Sequence, residues 1–183
     1  MSKVIFGQFY GFPIQKAVAL MLYLPFVWIF LKGLVVKKAN KKILWKLFNL
    51  CIACTMVGII LILTVSSRGG VEELVLMPFQ SFIEGKTNRD LRRSIFMNVF
   101  LFFPLGLTLP FALAEKWKKK VFITIIFAFL LSLIVEFLQY YYQLGRAETD
   151  DVICNTLGTA IGTISYTLER KFFDKRKYID NYF

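Results

Sequence analysis

Runs of about twenty apolar residues alternate along this chain with short loops rich in lysine and arginine, and that alternation limits its folds more than any other feature. A hydrocarbon core roughly 30 Å thick is crossed by about 20 helical residues rising 1.5 Å each, so every such run is a candidate span. The hydrophobic fraction is 57% and the mean hydropathy +0.59, beyond the roughly 45–50% apolar content of soluble domains. These features predict an all-α, polytopic membrane helical bundle of five transmembrane helices.

The first span runs from about Pro13 to Val36; it is long for a removable signal peptide and lacks an A-x-A cleavage site. The others run from about Ile43 to Val65, Ser94 to Leu113, Val121 to Tyr142, and Asp150 or Asp151 to Leu168. This divides the chain into an N-terminal hairpin (1–65), a membrane domain (66–168) and a basic tail (169–183). Before the third span lies the polar interval Ser66 to Arg93. Its apolar stretch Val71 to Ile83 is too short and too polar to cross, and is expected to be interfacial or re-entrant, with a plain surface loop as the alternative.

Six cations from Lys32 to Lys46, four from Lys116 to Lys120 and five from Arg170 to Lys177 fall on one side, fifteen of the 23 lysines and arginines. The positive-inside rule makes that side cytoplasmic, with the N-terminus outside and the C-terminus inside a bacterial cell membrane. Trp45 and Trp117 then mark the inner boundary and Tyr140, Tyr141 and Tyr142 the outer one. Arg89, Arg92 and Arg93 break the pattern, standing just outside the third span where the rule disfavours cations.

The formal charge of +11 does not point to nucleic acid, because such a protein carries its cations on a soluble domain or tail rather than in loops between apolar runs. Three cysteines and no histidine provide neither a disulfide framework nor metal-ligand spacing, and neither a metal nor a cofactor is expected. Cys51 and Cys54 form a CxxC string inside an apolar run, where they read as small helix residues rather than an activated redox pair.

Residues costly in lipid carry the functional information. Glu136 sits roughly 7 Å outward of the fourth span's centre, by the 1.5 Å rise. Asn98 and Asn155 enter the third and fifth spans to a similar depth. Glu136, Gln139, Tyr140 and Gln143 follow i, i+3, i+4, i+7 spacing, and Asp151 and Asn155 are i, i+4. Arg146, in the intervening loop, offers a planar fork suited to carboxylate or phosphate. Together these predict an outer-leaflet polar pocket; the plain alternative is that the same groups only join helices. Gly158 and Gly162 form a GxxxG string permitting close helix approach, with packing inside the chain as the default.

Met77-Pro78-Phe79, Asn98 to Pro104 and Gly106, Glu136-Phe-Leu-Gln139, and Arg146 followed by Asp151-Val-Ile-Cys-Asn155-Thr-Leu-Gly158 with Gly162 resemble, in that order, the VanZ-like family of bacterial membrane proteins. The likeness covers about Val75 to Leu168. It implies a cell-envelope protein that lowers sensitivity to teicoplanin-type lipoglycopeptides, supplies no cofactor, and marks Asn98, Glu136, Gln139, Arg146, Asp151 and Asn155 as candidate ligand-binding residues, with Pro104, Gly106, Gly158 and Gly162 in helix packing.

Three functions fit these residues. One is a binding or transport module holding a membrane lipid, a lipid-linked cell-wall precursor or the antibiotic. Another is an intramembrane enzyme using Glu136 and Asp151 as acid and base, or holding a divalent cation with Asn98 and Asn155. The third is a scaffold whose polar groups only bind helices together.

Overall fold

The computed structural model describes residues 27–28, 41–65, 74–144 and 146–180. In chain order these form α1 (Lys41–Val65), β1 (Leu74–Val75), α2 (Gln80–Glu84), α3 (Arg89–Ala112), α4 (Trp117–Tyr141), β2 (Ala147–Glu148) and α5 (Thr149–Asp180). Of the five expected spans, α3 and α4 are long and apolar enough to cross a membrane, while α1 contains a shorter apolar stretch, Trp45–Leu61. The expected first span lies outside the described residues except for Val27 and Trp28, both helical. The fifth helix does not stop near Leu168 but continues to Asp180. Six of the twelve residues from Glu169 to Asp180 are glutamate, lysine or arginine, good helix formers, and none is glycine or proline, so the charge that ends the apolar run does not end the backbone geometry.

The faces of α4 show the solvent this fold expects. Phe122, Ile126, Phe129, Leu130, Leu133, Ile134, Phe137 and Tyr141 are exposed, while Thr124, Ala128, Ser132, Glu136 and Gln139 are buried. Leaving such a face to water would forgo on the order of 10 kcal/mol of apolar burial, comparable to the whole stability of a domain. Small and polar groups inward with large apolar groups outward is the arrangement of a helix solvated by lipid.

Contacts between helices fix their directions. Trp45, early in α1, meets Phe111, late in α3, with ring centroids 6.1 Å apart, while Ile60, later in α1, joins the cluster of Phe102, Leu105, Ala128, Leu131 and Val135. Thus α1 and α3 are antiparallel. Along α5, Gly158 lies on Val99, Gly162 on Phe103 and Leu107, and Tyr166 on Phe111 at 4.8 Å, so α3 and α5 run parallel. By contrast, Asn155 bonds Ser132 whereas the earlier Glu148 bonds the later Glu136, making α4 antiparallel to α5. One end of the bundle therefore gathers Trp45, Phe111, Trp117 and Arg170, whose guanidinium lies 5.6 Å from the Trp117 ring centroid. The opposite end gathers Glu136, Arg146 and Asp150.

The α3–α5 crossing depends on glycine. A Cβ at Gly158 would strike the carbonyl oxygen of Val99, and one at Gly162 would sit 2.7 Å from the Leu107 nitrogen; a Cβ at Gly106 would sit 2.9 Å from Thr159 Cα. Real side chains do not tolerate these approaches, so the two backbones meet only because all three positions lack a side chain. Thr159 Oγ1 lies 3.4 Å from the Phe102 carbonyl across the same seam. Pro104 lies inside α3, where Thr108 Oγ1 donates to its carbonyl at 2.8 Å. Cys51 and Cys54 are free and exposed on α1.

Candidate functional site

The polar end of the bundle is built around the start of α5. Asp150 is 2% exposed, and its two carboxylate oxygens accept the backbone N–H groups of Phe79 at 2.5 Å and Ser81 at 2.7 Å. These are donors at the beginning of α2, where a helix leaves its first N–H groups unsatisfied. Phe79 has φ 67°, a left-handed backbone costly for a bulky residue; the Asp150 carboxylate holds it in place. Thr149 Oγ1 adds a bond to the Leu76 carbonyl at 3.3 Å. The stretch expected to be interfacial or re-entrant is therefore, from Leu74 to Glu84, a short strand, a turn and a helical turn docked on α5.

β1 and β2 pair in parallel, Leu74 with Ala147 and Val75 with Glu148. This ladder places Glu148 at the centre of a second set of bonds. Its backbone N–H donates to Glu136 Oε2 at 3.0 Å, Ser81 Oγ donates to its carboxylate, and Arg146 Nε lies 3.2 Å from the other carboxylate oxygen. Glu136 and Gln139 are both buried on the inner face of α4. Their expected companions are not: Tyr140 is exposed, and Gln143 lies beyond the helix end at Tyr141 with φ 52°, so the i+7 position no longer shares the face.

Deeper in the bundle, Asn155 Nδ2 donates to Ser132 Oγ at 2.8 Å. Asn155 Oδ1 and Asn98 Nδ2, both buried, have no hydrogen-bond partner among the described residues. Asp151 is half-buried one residue after the fully enclosed Asp150. Among the described residues, no three acidic or cysteine side chains come together as a metal-binding group.

The family model described as VanZ/LLP1 matches residues 48–170. The chain belongs to the VanZ/LLP1 family. The match runs from within α1 to just past the turn carrying Tyr166, so the VanZ/LLP1 region takes in both the glycine seam and the whole polar end. Over 85 residues the chain is 33% identical to Protein VanZ of Enterococcus faecium, an alignment covering 46% of this chain and 51% of that protein; the chain thus spans about half the length of the curated relative it matches. No solved structure matches the chain significantly.

Sequence reasoning passed over Ser81, Ser132, Glu148 and Asp150 as site residues. Asp150 was visible only as one of two acids at a helix start, and the choice between them depends on which one faces α2. Glu148 stands in a loop beside Arg146, where an acid is unremarkable until the strand pairing turns it inward.

Proposed function

We propose that this VanZ-like chain is a multi-pass protein of the bacterial cell membrane that lowers sensitivity to teicoplanin-type lipoglycopeptides by holding the polar head of an amphiphile at its polar end. The amphiphile is a lipid-linked cell-wall precursor or the lipoglycopeptide itself. In this reading the basic end faces the cytoplasm and the Glu136–Arg146–Asp150 end faces outward, in keeping with the alternating helix directions and with the burden of lysine and arginine at the Trp117 end.

The observation that carries the reading is that two buried amide atoms without a hydrogen-bond partner among the described residues, Asn155 Oδ1 and Asn98 Nδ2, stand on the touching helices α5 and α3 at the polar half of the bundle. An unsatisfied buried polar atom costs about 1–3 kcal/mol, and an acceptor and a donor on helices in direct contact suit a ligand bearing hydroxyl or amide groups. Arg146, at the rim and paired through Nε with Glu148, carries a planar guanidinium with five N–H donors, a geometry suited to phosphate or carboxylate. Glu136 and Gln139 line the inner face of α4 between them. Antibiotic susceptibility and lipoglycopeptide binding of Glu136→Gln and Arg146→Ala test this reading: both variants should lose protection and binding while remaining folded, and wild-type behaviour in both would remove it.

A scaffold role is the second reading, favoured by the backbone N–H donors that Asp150 and Glu136 accept. It predicts that the same substitutions reduce expression and thermal stability first, with activity unchanged in whatever protein folds.

A further inference from the structure

We infer that the segment Leu74–Glu84 and the adjoining start of α3 form a docking surface for anionic phospholipid, with apolar side chains entering the acyl region and cations meeting the headgroup phosphates. This surface is separate from the Glu136–Asn155 cluster and does not depend on its ligand.

The apolar half of the surface is Leu76, Met77, Phe79 and Ile83, which are 68%, 72%, 57% and 66% exposed. Four large apolar groups on a stretch this short do not face outward by sequence necessity, because the same segment buries Val75 and Ser81 against the bundle. Their direction is imposed: Asp150 grips the backbone of Phe79 and Ser81, and the β1–β2 ladder fixes the strand. The same end of α4 carries the exposed Phe137, Tyr141 and Tyr142, so the patch extends an apolar exterior already suited to lipid.

The charged half adjoins it. Gly85 ends α2, and a Cβ there would meet the Arg92 nitrogen at 3.4 Å, so the close of α2 packs directly on the first turns of α3. Lys86, Arg89 and Arg92 are exposed around that junction, against two exposed acids, Asp90 in the first turn of α3 and Glu84, which accepts from Gln80 Nε2 at 2.8 Å, so cations remain in excess. In the orientation proposed above, cations just outside a span oppose the positive-inside tendency, and a headgroup-binding role accounts for their position. Charge complementarity with phosphate, each lysine or arginine near an anionic surface being worth about fivefold in binding, selects anionic lipid over zwitterionic lipid as the occupant.

The test uses the full chain carrying Met77→Trp, reconstituted in phosphatidylcholine vesicles containing one-quarter phosphatidylglycerol, with either lipid brominated in its acyl chains. Quenching of the new tryptophan is compared with the parent protein's background. Per mole of brominated lipid, phosphatidylglycerol should quench several-fold more than phosphatidylcholine. Adding Lys86→Gln, Arg89→Gln and Arg92→Gln together should abolish the preference while leaving quenching by total lipid intact. Equal quenching by the two lipids before those substitutions overturns the proposal, as does a tryptophan quenched by neither, the result expected if another protein covers the segment.

Discussion

The carboxylate of Asp150 lies 2.7 Å from the backbone nitrogen of Ser81, a residue 69 positions earlier in the chain. Through this bond and its twin to Phe79, the first turn of α5 determines where α2 sits, and through α2 where the Ser81 hydroxyl meets Glu148. Replacing Asp150 with alanine leaves two backbone donors without their charged acceptor, an interaction worth about 1.5–3 kcal/mol per bond. Hydrogen exchange at the amides of Phe79 and Ser81 should accelerate by orders of magnitude, while exchange in the middle of α3 stays near wild type. Protection unchanged at both amides would show that Asp150 is not what fixes the segment.

Asn155→Leu separates binding from stability. Its bond to Ser132 is one interhelical hydrogen bond, worth about 0.6 kcal/mol in membrane bundles, so the thermal midpoint in mild detergent should move little. If the proposed function holds, protection against teicoplanin should fall sharply. A large stability loss with protection retained in the folded fraction would favour the scaffold reading.

Glycine substitutions along α5 should track the geometry of the seam. Gly158→Ala and Gly162→Ala force α3 and α5 apart and should cost about 1–3 kcal/mol by overpacking. At Gly58 on α1, where a Cβ meets nothing within 4 Å, alanine should be neutral or stabilising by up to about 1 kcal/mol through helix propensity. Thermal unfolding of the three variants side by side makes the comparison, and equal midpoints would contradict the close crossing.

Orientation is open to labelling. In a background with Cys51, Cys54 and Cys154 replaced, Lys86→Cys should react with a membrane-impermeant maleimide on intact cells, and Lys119→Cys only after lysis. The reverse pattern would place the polar end in the cytoplasm and exclude an outer-leaflet ligand.

Helices α3 and α4 and the glycine seam are legible in the sequence. Hydropathy located α3 and α4 because a 30 Å apolar layer demands long apolar runs, and the spacing of Gly158 and Gly162 marked a close approach because only small residues permit one. Glu136, Gln139 and Asn155 stood out because such groups are expensive in lipid, and all three are buried. Ser81, Glu148 and Asp150 did not stand out, since each acquires its role from a partner 67 to 71 residues away and neither periodicity nor hydropathy reports contacts of that range. The extension of α5 past Leu168 is not legible for a different reason: hydropathy senses the solvent around a helix, not the hydrogen bonds within it.

Native mass spectrometry of the full chain released from mild detergent tests the central claim most directly, with wild type and Arg146→Ala compared at matched thermal stability. The account predicts an amphiphile adduct on the wild-type protein that is lost or greatly reduced in the variant. Bare protein in both spectra, or an adduct retained equally by both, would contradict it.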